Sequence, residues 1–176
     1  LQGNIIYLFN ACIIKHSELI EPIMGVMPAF VSWWQIGKEK ESGYTEVINN
    51  LSSLFLGLAI FVPTFPENIL FEVFDAFPSV ESSTNSNMCR NIISFVQNRS
   101  EMSQELYRKL GLACARLLMI DKLKLADMEI DDELLMEIRN ILIAILQKMP
   151  TLQKEIMELC GKSKVKIRRI QNLLSA

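Results

Sequence analysis

An all-α fold is what this sequence predicts, on three observations. Apolar residues recur at three- and four-residue steps almost everywhere, strict alternation over a strand length is absent, and helix start and stop signals punctuate the chain at short intervals. The stretch 131–149 carries the pattern most clearly: Leu134, Leu135, Ile138, Ile141, Leu142, Ile145, Leu146 and Met149 form a wide apolar stripe, with Glu137, Arg139, Asn140 and Gln147 off it. Asp131, Asp132 and Glu133 stand at its start and Lys148 at its end, as the helix dipole prefers, and Pro150 follows, lacking the N–H a helix would need.

The same criteria place helices near 3–15, 19–34, 44–61, 66–76, 86–98, 102–121, 131–149, 151–160 and 163–174. The first is carried by Ile5, Ile6, Leu8 and Phe9, and the second ends on Trp33-Trp34 before the polar connection Gly37–Gly43. The third leads into the most apolar stretch, Leu54 to Phe65, which contains Pro63 and falls short of the roughly 20 residues of a membrane span, so it reads as a buried helix. Thr64-Phe65-Pro66-Glu67 reads as an N-cap, a proline just inside the fourth helix and a capping-box glutamate. A second polar connection, Ser79–Asn87, precedes the fifth, and Gly161 fits a C-terminal stop. Such lengths joined by short turns predict antiparallel neighbours.

With 176 residues the chain is about one domain, and 50% hydrophobic residues with 7 Gly and 6 Pro exclude collagen-like, low-complexity and disordered classes. Against 18 Lys+Arg stand 20 Asp+Glu, a net charge of -2 that favours no nucleic-acid backbone. Cys12, Cys89, Cys114 and Cys160 are widely separated, with no CxxC pair and His16 alone as histidine, so zinc is not expected. Isolated buried thiols suit a reducing compartment, cytosol or nucleus. The sequons at Asn50 and Asn98 then read as chance matches. No basic region and small-residue cleavage site mark a signal peptide, and the opening on Leu1 and an apolar run reads as an excerpt of a longer protein.

The two polar connections reveal a repeat. Val26 to Trp34, a loop, and Val47 to Phe55 can be laid over Ile69 to Phe77, a loop, and Met88 to Val96, at offsets of 43 and 41 residues. A helix pair of that period is the size of a HEAT or armadillo unit, in which each pair buries its face on the next. The expected architecture is an α-α superhelix, a HEAT/armadillo-like solenoid spanning 1–176, with repeats near 3–34, 44–76 and 86–121 and terminal helices 131–174 as a cap.

The succession LSSLFLGLAIFVPTFPENILFEVFDAFPSVESSTNSNMCRNIISFV resembles the last HEAT repeats of importin-β superfamily receptors, the karyopherins, most nearly the importin-five type. Asn50 to Phe61 stands for the A helix, Ile69 to Phe77-Pro78 for the B helix and its terminal step, and Val80 to Asn85 for the loop; Ile167 to Ala176 is similar to the family's short closing helix. Residues 99–165 follow the family only loosely, with longer and more apolar helices. The resemblance implies a nuclear transport receptor that binds protein cargo, Ran-GTP and phenylalanine-glycine (FG) nucleoporins in cytoplasm and nucleus, with no cofactor and no membrane insertion. It also implies that B helices line a concave cargo surface.

Enzyme motifs such as GxGxxG, the P-loop, GxSxG and HExxH are missing, and His16 sits in a polar turn with no cysteine or serine nucleophile and orienting carboxylate identifiable beside it, so catalysis is not expected. Trp33 and Trp34 point about 100° apart on a helix; both bury against neighbours, or one lies at the surface as a contact residue. On the implied cargo surface Glu72, Asp75 and Glu81 would attract lysine-rich signals, or else form an ordinary solvated face. Leu54, Leu58 and Phe61 would contribute to nucleoporin binding, although burial explains them more simply. The acidic run 127–133 reads as a helix N-terminal cluster. The basic run Lys162, Lys164, Lys166, Arg168, Arg169 reads as the solvated face of a capping helix docked by Ile167, Ile170 and Leu174, or as a contact for an acidic partner. The runner-up function is a scaffold or regulatory subunit unrelated to transport. A compact helical enzyme or lipid-binding bundle is a third class.

Overall fold

The computed structural model describes residues 16–39, 45–77, 85–99, 101–121, 125–126 and 129–175. Every regular element among them is helical. A short 3₁₀ turn (Ser17–Leu19) leads into α1 (Ile20–Gly25), α2 (Met27–Glu39), α3 (Thr45–Phe61), α4 (Glu67–Ala76), α5 (Asn85–Asn98), α6 (Gln104–Leu118), α7 (Asp132–Lys148), α8 (Leu152–Cys160) and α9 (Lys164–Ser175). The helix expected near 3–15 lies outside the described residues.

Local chemistry accounts for most boundaries. Ser103 Oγ accepts from the Leu106 amide at 3.1 Å to start α6, and the Asp131 carboxylate accepts from the Leu134 amide at 2.8 Å to start α7. Helix α8 stops at Gly161, whose φ of 54° and ψ of -135° suit a residue without a Cβ. Two expectations need correction. The helix expected over 19–34 breaks at Val26 and then runs on through Gly37 to Glu39: Pro28 has no amide to give Met24, and the Val26 carbonyl instead receives Ala29 and Phe30. The fourth helix starts at Glu67 with Pro66 as its cap residue, so Thr64 is not the N-cap. The Glu67 carboxylate is engaged across the fold, accepting from the Ser103 amide at 3.4 Å and lying 3.7 Å from Arg99.

Among the described residues four pairs of helices two apart in sequence are neighbours. Helix α3 packs on α5 and α5 on α7; α4 packs on α6 and α6 on α8; α2 joins α3, and α6 joins α7. One apolar cluster runs from Ile23 of α1 to Ile170 of α9. Helix α3 is buried nearly all round from Leu51 to Ala59, because α2, α4 and α5 all lie against it. Aromatic rings carry the packing between layers: Trp34 meets Phe55 at 6.4 Å, Phe55 meets Phe65 at 6.3 Å, and Phe74 meets Phe95 at 6.1 Å. Among the described residues no helix is long and apolar enough to cross a membrane.

Arginines from later helices finish earlier ones. Helices α3 and α4 have no basic residue in their own last turns. Arg99, just past α5, donates to the carbonyls of Ala59 at 3.1 Å and Pro63 at 3.4 Å at the end of α3. Arg116 of α6 donates to Phe74 at 2.8 Å and Asp75 at 3.2 Å at the end of α4, and Arg169 of α9 donates to Met119 and Ile120 just past α6. Each guanidinium satisfies terminal carbonyls and places positive charge at the negative end of the helix dipole.

Helices α6, α7 and α8 converge at Gly111. A Cβ there would lie 2.5 Å from Leu152 Cδ2 and 3.2 Å from Ile145 Cγ2, and both side chains are buried. Overpacking of about 1–3 kcal/mol outweighs the roughly 1 kcal/mol of helix propensity that alanine adds. Gly111→Ala should therefore lower stability by about 1 kcal/mol, and Gly111→Leu by more, in urea titrations. An unchanged or raised midpoint for both would mean that Leu152 has room to turn away.

Candidate protein-interaction surface

The first conspicuous feature, the tryptophan pair, is split by the fold. Trp34 is 2% exposed: its ring edge meets Phe55, and its indole N–H donates to Ser52 Oγ at 3.0 Å. Trp33 is 39% exposed and stacks edge-on against Phe30 at 5.7 Å. The 100° step between adjacent helical positions points one ring at α3 and the other outward. Val26 and Ile36 are also exposed on this side. Of the three residues weighed for nucleoporin contact, Leu54 and Leu58 are fully buried and Phe61, 45% exposed, reaches the surface.

The helices α4, α6 and α8 carry a chain of charges. Asp75 on α4 pairs with Lys109 at 2.5 Å and lies 3.9 Å from Arg116, both on α6. Arg108 on α6 reaches Glu155 of α8 through Nε and Nη2, at 2.8 and 2.7 Å, and Glu105 of its own helix at 2.9 Å. The hydrogen bond from Arg108 holds the Glu155 carboxyl below its usual range, and the Glu155 carboxylate raises Arg108 in turn. Glu72 is half-buried on α4, and Glu81 lies outside the described residues. Of the acidic lining expected here, Asp75 is thus matched by two cations. Further along, Lys148 Nζ donates to the Tyr107 hydroxyl at 2.8 Å and also lies 4.7 Å from the centre of its ring.

Among the described residues grooves open between helices. One of about 490 Å³, near the ends of α3 and α5, is lined by Ile60, Pro63, Glu67, Asn98 and Met102 among others. A second of about 280 Å³ separates α5 from α7 and is polar, with Arg90, Gln97, Asp131, Glu133 and Glu137 on its walls. The third, about 380 Å³, lies between α7 and α9 and is largely apolar. Its floor is Leu118 and Leu125; Asp132, Leu135, Met136 and Arg139 form one wall, Arg169 and Asn172 the other.

Sequence reasoning passed over this third groove. Its α7 wall repeats at i, i+3, i+4 and i+7, a face next to the strong core stripe and masked by it. The available signal was Met136, an apolar residue that is not part of that stripe and is 56% exposed.

Chemically reactive groups are dispersed or shielded. His16 is exposed, with Nδ1 3.0 Å from the Glu18 carboxylate. Cys89, Cys114 and Cys160 are buried free thiols; burial pushes Cys89 up to about 12 and raises the other two. Among the described residues no three His, Cys, Asp or Glu side chains gather to hold a metal. Compared with known proteins, the chain matches no family model, no curated protein and no solved structure.

Proposed function

We propose that this chain is a stack of HEAT-type helix pairs, an α-solenoid segment that works by binding proteins and not by catalysis. One observation carries the reading: burial repeats at the spacing of the sequence repeat. Met27, Phe30 and Trp34 of α2 and, 43 residues on, Leu70, Val73 and Phe77 are all buried, as are Leu51, Ser52 and Leu54 of α3 and, 41 residues on, Ile92, Ile93 and Phe95 of α5. The pairing of α3 with α5, α5 with α7, α4 with α6 and α6 with α8 supports it, since in such stacks A helices lie on A helices and B on B. In these terms α3, α5 and α7 are A helices, and α4, α6 and α8 are B helices.

Within that class we favour the C-terminal part of an importin-β-like nuclear transport receptor, on the resemblance in residues 51–96. Its mechanism is binding and release: the stack takes part in wrapping protein cargo, weak contacts with FG nucleoporins carry the complex through the pore, and Ran-GTP discharges it. Each repeat touches only its neighbours, so small rotations per repeat add up to a large change of curvature. Trp33 and the charged B row are the surfaces this reading puts to use.

A scaffold or regulatory subunit unrelated to transport is the second reading, and the pairing of Asp75 with Lys109 and Arg116 favours it, because that carboxylate is matched within the B row itself. A pull-down of the full-length protein with Ran loaded with GTP or GDP separates the two. Binding only to the GTP form supports the receptor; a folded protein that treats both nucleotide forms alike rejects it and leaves the scaffold.

A further inference from the structure

All 20 Asp and Glu residues of the chain precede position 159, and the last 17 residues carry only positive charge: Lys162, Lys164, Lys166, Arg168 and Arg169. The first four are exposed, and none of them forms an ion pair among the described residues. Helix α9 opens on Lys164 and Lys166 with no acidic residue in its first turn, against the preference of the helix dipole. A local preference is broken here without any partner inside the described chain to offset it.

Of these cations Arg169 lines the α7–α9 groove. On α9 the positions 165, 168, 169 and 172 fall on one stripe, spaced i, i+3, i+4 and i+7, while Ile170 is buried and Ile167 and Leu174 pack on the core. Arg169 and Asn172 of that stripe line the groove, so Val165, 76% exposed, and Arg168 continue the same wall by one turn. The facing wall offers Leu135, Met136 and Arg139, with Asp132 as its one carboxylate. The result is a trough with an apolar floor and a rim on which the exposed cations of α9 outnumber the one carboxylate, Asp132.

We infer that this groove receives an acidic amphipathic helix from a partner protein. An apolar ridge would enter over Leu118, Leu125 and Met136, and flanking carboxylates would meet Arg168 and the lysines at the start of α9. The floor leucines are buried between the two walls, where only a side chain entering the trough can reach them, so a flat lipid surface fits less well. Charge selects among helical partners: the rim attracts carboxylates and repels a basic helix of the same apolar pattern. The groove takes only Leu118 from α6 and none of the charged residues of the α4, α6 and α8 row, so this inference and the transport reading can fail separately.

The test is fluorescence anisotropy on the full chain with a labelled amphipathic peptide of about five helical turns, leucine at the i, i+3, i+4, i+7 positions and glutamate on the flanks. A matched peptide with lysine for glutamate is the control. The glutamate peptide should bind at least about tenfold more tightly, with an affinity that falls as salt rises. Met136→Glu and Arg168→Glu, both at exposed positions and checked for folding by circular dichroism, should each weaken it about tenfold. Absence of binding, equal binding of the two peptides, or indifference to both substitutions overturns the inference. So do binding to phosphatidylserine vesicles without binding to the peptide, and a dimer in sedimentation that Met136→Glu disperses.

Discussion

Replacing Trp34 with alanine should lower the unfolding free energy by about 3–5 kcal/mol, the range for truncating a fully buried large aromatic. The ring fills the junction between α2 and α3 and lies edge-on to Phe55, so its loss leaves a cavity that helices fixed on several sides close only in part. It also removes the indole donor from the buried Ser52 hydroxyl. Trp33→Ala should cost no more than about 1 kcal/mol, since that ring is already in contact with water. Urea titrations followed by far-UV circular dichroism compare the two without relying on either fluorophore. Equal losses would show that the division of the pair between core and surface is wrong.

The second large effect belongs to Arg99. Its guanidinium serves the Ala59, Pro63 and Glu101 carbonyls, faces the Glu67 carboxylate at 3.7 Å and lies 5.5 Å from the centre of the Phe95 ring. Arg99→Met keeps much of the stem and removes the charge and donors. A loss of about 2–4 kcal/mol is expected from the unsatisfied carbonyls and the abandoned carboxylate. Because the damage centres on the end of α3, hydrogen exchange of the Val62 and Phe65 amides, which donate to Leu58 and Val62, should accelerate more than that of α7 amides. A stability change below about 0.5 kcal/mol would mean that water replaces the guanidinium without cost.

The helices themselves were legible because their signals are local. Asp131 and Ser103 cap from within three residues, and the 3.6-residue period of α7 needs no partner to be seen. Boundaries failed where a distant partner had claimed the signal. Glu67 has the spacing of a capping-box residue, yet its carboxylate goes to Ser103 and Arg99, more than thirty residues on. The break at Val26 falls where Pro28 lacks the amide that Met24 would receive and was readable in principle, but the apolar run across it concealed it.

The candidate surfaces were legible in composition and not in context. The tryptophan pair and the acidic residues were visible as types. Which ring turns inward depends on where Ser52 and Phe55 lie, and the charge at Asp75 depends on Lys109 and Arg116, 34 and 41 positions later. The basic run after Glu158 was visible too. Its apolar companion was not, because the α7–α9 groove draws its walls and floor from segments far apart in the chain.

The arginine contacts also set an order in time. Arg99 lies 40 residues beyond Ala59, Arg116 lies 42 beyond Phe74, and Arg169 lies 50 beyond Met119. During synthesis at about 5–20 residues per second, the end of each of these helices waits on the order of 2–10 s for the residue that completes it. Until then its last carbonyls face water and its final turn is free to fray. On a nascent chain α3, α4 and α6 are therefore each unfinished when they emerge, and their consolidation follows the ribosome at a lag of 40 to 50 residues.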